Sequence, residues 1–215
     1  MKRVETMCAT NDRKKKVSVY SDGEQQMMDV TQTWRAKLFS PLLDVLAKCH
    51  VRPNNITYVS LLSGIAFCVL FAVDTPLAKP LAFALLALHV LLDGIDGPLA
   101  RHLGTASSQG SFTDTTADQL VVAFSTITLI YTGHIGIIPG GLYLFFYTAV
   151  VVFAMIRSSL TIPYSWLVRP RFFVYIWFVV EVYFLPGTID YVLWLFTILL
   201  AVKMVSGFFK IRKKL

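Results

Sequence analysis

Apolar residues gather along the chain into six long segments, about 55–73, 80–101, 110–132, 141–157, 171–186 and 188–207. Each approaches the roughly 20 mainly apolar residues that carry one helix across a hydrocarbon core. Turn-forming residues separate them: Asp74-Thr75-Pro76 with Lys79-Pro80, Gly104 to Gly110, Gly133 to Gly141, Pro163 to Pro170, and Pro186-Gly187. Ahead of the first segment, Trp34 to Lys48 sets Leu38, Leu42, Leu43 and Leu46 at helical spacing and leaves Arg35, Lys37 and Lys48 for a wet side. That pattern predicts an amphipathic helix lying at a membrane interface. The predicted architecture is therefore an all-α membrane protein with six transmembrane helices and an N-terminal amphipathic interfacial helix.

Residues 1–32 mix a basic run, Arg13 to Lys16, with Glu5, Asp12, Asp22, Glu24 and Asp29, too polar a stretch to build a core. It reads as a disordered cytoplasmic tail; it lacks the apolar stretch of a signal peptide, and its acids do not fit a transit peptide. Residues 33–209 form the membrane domain, and 210–215 a basic C-terminal tail. Of the 215 residues, 55% are hydrophobic, and the mean hydropathy is +0.61. A formal charge of +7 could suggest nucleic acid, but the cations sit at the ends of apolar segments, as topology determinants do. The N-tail, Arg101 with His102, Arg157 with Arg169 and Arg171, and the Lys210 to Lys214 tail all fall on one side, while the opposite connections hold only Lys79. Both termini are therefore expected in the cytoplasm, with the lipid bilayer rather than nucleic acid as the partner. A bacterial inner membrane and an organelle membrane such as the endoplasmic reticulum suit this topology equally. Cys8, Cys49 and Cys68 share no metal-ligand spacing.

Four acids contradict the apolar pattern. Asp93, Asp96, Asp114 and Asp118 lie inside segments two and three, where a carboxylate costs at least about 2.5–3.5 kcal/mol to insert. On a helix Asp93, Asp96, Gly97, Ala100 and Arg101 share one face, and so do Gly110, Asp114 and Asp118. Two acidic stripes on consecutive antiparallel helices should meet, and divalent cations would keep the carboxylates ionised there. Oxygen donors without matching His or Cys favour Mg²⁺ or Mn²⁺ over zinc. The small residues on the same faces let a flat ring or a phosphate approach the backbone. Pairing with Arg101 or helix capping could account for some of these acids, but one arginine cannot neutralise four. A cation-coupled membrane transporter is the rival of another class, and it leaves the glycines unexplained.

The arrangement Asp93-x-x-Asp96-Gly97-x-x-Ala100-Arg101, eight residues, Gly110, three residues, Asp114, three residues, Asp118 resembles the full signature of the CDP-alcohol phosphotransferase (phosphatidyltransferase) family. The six-segment layout and Pro53-Asn54-Asn55-Ile56-Thr57 resemble the family as well. The resemblance implies a site of two Mg²⁺ or Mn²⁺ ions held by Asp93, Asp96, Asp114 and Asp118, with Asp118 also the general base. It further implies a cytidine site with space left by Gly97, Ala100 and Gly110, Arg101 in the same region, and a homodimer. Asn54 and Thr57 either close that site from segment one or merely start a helix, with Asn as its cap.

The implied activity is transfer of a phosphatidyl group from CDP-diacylglycerol to a small polar alcohol, with release of CMP. Arg157, Arg169 and Arg171 suit a phosphomonoester on the acceptor, although as cytoplasmic cations they also serve as topology anchors. Glycerol 3-phosphate leads. Inositol phosphate follows, then phosphatidylglycerol (cardiolipin synthesis) or diacylglycerol with a CDP-choline or CDP-ethanolamine donor. Glu181 could orient an acceptor or contact the bundle interior. His89 reads as a packed core residue, and the aromatic runs Phe145-Phe146-Tyr147 and Tyr175-Ile176-Trp177-Phe178 as lipid-facing or interfacial.

Overall fold

The computed structural model describes residues 39–73, 75–160, 162 and 170–215. The tail over 1–32, the first part of the interfacial helix, Cys8 and Arg169 lie outside the described residues. Helices make up the described chain: α1 is helical over 39–48, followed by α2 (Pro53–Ala72), α3 (Ala78–His102), α4 (Ser108–Tyr131), α5 (Ile137–Ser159), α6 (Pro170–Tyr183) and α7 (Ile189–Arg212). Each apolar segment read from the sequence corresponds to one of the last six.

Local chemistry sets the boundaries. Pro53 opens α2, where its missing N–H is no loss. Ser107 caps α4 by accepting from the Gly110 N–H at 3.1 Å. Gly104, at φ +66°, ends α3 in a Schellman motif: Thr105 N–H reaches Ala100 O at 2.9 Å and Gly104 N–H reaches Arg101 O at 3.1 Å. α1 ends the same way, but His50 occupies the left-handed position at φ 55°.

Four helices, α2, α3, α5 and α7, are long and apolar enough to cross a membrane. α4 is not, because its first half is polar, with Ser108, Gln109, Ser111, Asp114, Thr115, Thr116, Asp118 and Gln119. α6 is not, because it has 14 residues, which is about 21 Å at 1.5 Å per residue. The described residues are thus all-helical, and the four apolar helices mark an integral membrane protein.

Over residues 57–64, α2 buries Thr57, Ser60, Ser63 and Gly64 and turns Tyr58, Val59 and Leu62 outward. This inverts the soluble pattern, because lipid accepts the large apolar side chains while small ones let helices approach. A Cβ on Gly64 would lie 2.7 Å from Val121 of α4. α2 packs on both α3 and α4, which scarcely touch each other, and α5 packs on α7. Aromatic rings fill the middle: Phe67, Phe71 and Phe178 are fully buried, and Phe71 and Phe178 meet edge-on at 4.9 Å. The lipid-facing reading of the aromatic runs is thereby corrected in part. Phe145 and Ile176 are exposed, but Tyr147, Tyr175 and Phe178 are core.

Glu181 belongs to the fold as well. Its carboxylate accepts from the backbone N–H groups of Gly187, Thr188 and Ile189 at 2.5, 2.8 and 2.9 Å, capping the start of α7 from the end of α6. It lies at the end of α6 opposite Arg171 and does not touch the acidic stripes.

Candidate metal and nucleotide site

The helices run alternately up and down, so the starts of α2, α4 and α6 share one end of the bundle with the ends of α3 and α5. That end collects Asn54 and Thr57, the α3 stripe from Asp93 to Arg101, the α4 stripe from Gly110 to Asp118, and Arg157 and Arg171. Asp93, Asp114 and Asp118 each bring a carboxylate oxygen within 4.8 Å of the others. Asp96 is turned slightly away. Its Oδ2 accepts from Thr57 Oγ1 at 2.7 Å, and its Oδ1 accepts from the Gly97 N–H at 2.6 Å. Asp93 and Asp96 are buried at 7% and 4% exposure, so their charge cannot be left to water.

The cation paired with the acids is Arg171, which meets Asp93 and Asp118. One terminal nitrogen of Arg171 donates to Asp93 Oδ2 at 2.8 Å, and the other contacts Asp118 Oδ2. Arg171 and Arg157 are 3% and 5% exposed, unlike the snorkelling cations that anchor helix ends at a membrane surface. Three or four carboxylates against one guanidinium still leave an excess of negative charge in a buried place. The donors are all oxygens, which fits a hard divalent cation.

Beside the acids lies a cavity of about 420 Å³ whose lining includes Asn54, Thr57, Asp96, Gly97, Ala100, Arg101, Gly110 and Asp114. Every residue read from the sequence as nucleotide-binding is therefore on one wall or another of a single cavity. A Cβ on Gly97 would meet only the Arg101 guanidinium, at an ordinary contact distance of 3.5 Å, so that guanidinium lies over the glycine on the cavity wall. Arg52, not Asn54, occupies the cap position of α2, and Asn54 lines the cavity with its Oδ1 3.8 Å from a Cβ built on Gly110. Arg157 and Arg171 do not line this cavity.

The sequence model of the CDP-alcohol phosphatidyltransferase family matches residues 50–209. The chain belongs to that family. A phosphatidylinositol phosphate synthase of Cutibacterium acnes is 30% identical over 128 residues, which cover 57% of this chain and 58% of the relative. An archaetidylinositol phosphate synthase of Aeropyrum pernix is 28% identical over 131 residues, 61% of this chain and 59% of the relative. The chain thus spans under two thirds of the length of the curated relatives it matches. The structure of a Mycobacterium tuberculosis phosphatidylinositol phosphate synthase with CDP-DAG bound superimposes with a TM-score of 0.68 at 17% identity, covering 81% of this chain and 94% of the other, a likeness of fold.

Within this member of the family, sequence reasoning missed Arg52, Thr105, Ser107 and Ser111, which also line the cavity. Ser107 was legible as a serine three residues before Gly110 at a helix start. Arg52 carried no signal beyond its place before Pro53. His89 behaves as read: it is 2% exposed, and its Nδ1 lies 2.8 Å from Ser60 Oγ in the core.

Proposed function

We propose that this protein transfers the phosphatidyl group of CDP-diacylglycerol to a hydroxyl of inositol phosphate, releasing CMP. The observation that carries the reading is the meeting of the acidic cluster with a cavity lined by the signature's small residues. In this reading Asp93, Asp96, Asp114 and Asp118 hold two divalent cations, Mg²⁺ or Mn²⁺. Bound there, the cations would neutralise the donor's diphosphate and stabilise the charge on departing CMP. Gly97, Ala100 and Gly110 leave room for the cytidine, with Arg101, Asn54 and Thr57 bounding it. The acceptor oxygen attacks the phosphatidyl phosphorus, the bond from that phosphorus to the CMP oxygen breaks, and Asp118 takes the hydroxyl proton.

Inositol phosphate replaces glycerol 3-phosphate as the lead because one relative is named a phosphatidylinositol phosphate synthase and another an archaetidylinositol phosphate synthase. Burial of Arg157 and Arg171 at the site end also favours a phosphorylated acceptor over a topology role. Arg169, outside the described residues, stays with them in the proposal. We read α4 and α6 as crossing the membrane with the other four helices, both termini as cytoplasmic and the protein as a homodimer, α4 being shielded by its partners and its ligands. The test is an acceptor screen on purified protein with labelled CDP-diacylglycerol, following CMP and lipid product. Inositol phosphate should be used first and glycerol 3-phosphate poorly. Preference for an unphosphorylated alcohol would refute the acceptor, and gradient-driven ion flux in sealed liposomes without CMP release would favour a transporter.

A further inference from the structure

Arg171 stands where a permanent ion pair has little reason to stand. Its two terminal nitrogens join Asp93 on α3 to Asp118 on α4, and those same two carboxylates belong with Asp114 to the cluster able to hold a cation. Guanidinium and divalent cation therefore draw on the same two acids. The Nε of Arg171 is buried and has no hydrogen-bond partner. Buried donors are ordinarily satisfied, so one donor left over on a 3%-exposed arginine, whose guanidinium otherwise meets two carboxylates and the Phe172 ring, sets it apart from a fully satisfied structural ion pair.

The packing explains why such a bridge is useful. α3 and α4 scarcely touch and are aligned mainly through α2, so nothing in their own contact holds the facing acids together against mutual repulsion. A guanidinium is wide enough to span two carboxylates with separate nitrogens. It is also held at the first turn of α6, close enough to stay near the site after letting go.

We propose that Arg171 is an exchangeable counter-ion. It bridges Asp93 and Asp118 while the cluster holds no divalent cation and gives them up when one binds, which also frees the Asp118 carboxylate. Its guanidinium then turns to the phosphate of the acceptor, so that the cation must bind before the acceptor is held. This last step rests on the phosphorylated acceptor proposed above, whereas the exchange at the acids does not.

The test measures binding rather than turnover. Full-length protein in detergent, stripped of metal, is titrated with Mn²⁺ and the free ion followed by electron paramagnetic resonance. Arg171→Gln should bind the first Mn²⁺ at least about tenfold tighter than the unsubstituted protein, because a competitor for two ligands is gone. Arg157→Gln removes an equally buried charge and should change affinity by less than about threefold. If Arg171→Gln does not fold, Arg171→Lys keeps the charge but cannot span both acids, and should still tighten Mn²⁺ by at least about threefold. In a second titration, inorganic phosphate should bind the unsubstituted protein at least about tenfold tighter with Mg²⁺ than without, and Arg171→Gln should lose that gain. Mn²⁺ affinity unchanged or weakened in the Arg171 variants overturns the exchange. Tighter Mn²⁺ with the phosphate gain intact overturns the role at the acceptor phosphate and leaves the counter-ion exchange standing.

Discussion

The hydroxyl of Thr57 reaches across from α2 to Asp96 on α3, and removing it isolates one contact of the acidic cluster. Thr57→Val keeps the branched shape and deletes the donor to Asp96 Oδ2, a 2.7 Å bond between residues 5% and 4% exposed. A hydrogen bond to a charged acceptor contributes about 1.5–3 kcal/mol, and each 1.36 kcal/mol is tenfold in rate. If Asp96 must be held in place to serve a cation, kcat falls about ten- to a hundredfold, and the Mg²⁺ concentration for half-maximal activity rises. The assay is CMP release from CDP-diacylglycerol across a Mg²⁺ series, with Thr57→Ser as the control that restores the donor and most of the rate. A Thr57→Val enzyme with unchanged kcat and unchanged Mg²⁺ dependence would refute the positioning role and return Thr57 to the cavity wall alone.

Asp114→Asn should abolish CMP release while the protein stays monodisperse in detergent, and excess EDTA should do the same to the unsubstituted enzyme; turnover in EDTA would sink the metal assignment. Glu181→Ala strips acceptors from three N–H groups at the start of α7 and should lower stability by about 2–3 kcal/mol in thermal unfolding, with little change in acceptor KM. A large KM effect on a normally stable variant would restore Glu181 to the acceptor site. His50→Gly relieves a left-handed residue at φ 55° and should raise stability by about 0.5–1 kcal/mol; a lower Tm would contradict this. With Cys8, Cys49 and Cys68 replaced, Lys79→Cys should be labelled only from the face opposite Lys213→Cys, and labelling from the same face would overturn the proposed topology.

Local sequence determined what depends on neighbours within a few turns. The spacing of Asp93, Asp96, Gly97, Ala100 and Arg101, and of Gly110, Asp114 and Asp118, places each set on one helical face whatever surrounds it. Glycine and proline at the breaks located each helix to within a few residues, and the apolar excess declared the membrane. Only the tertiary structure decided which distant groups answer those acids. Thr57 lies 39 residues from Asp96, and Arg171 lies 78 residues from Asp93, separations at which no periodicity in the chain carries information. The inner and outer faces were equally hidden. Lipid and protein interior both accept apolar side chains, so Tyr147, Tyr175 and Phe178 could not be told from the exposed Phe145 and Ile176 until the helices were packed. Glu181 was ambiguous for the same reason. A carboxylate in an apolar run signals only that some partner exists, and the partner here is the backbone at the start of the next helix, which the chain reaches only by folding back on itself.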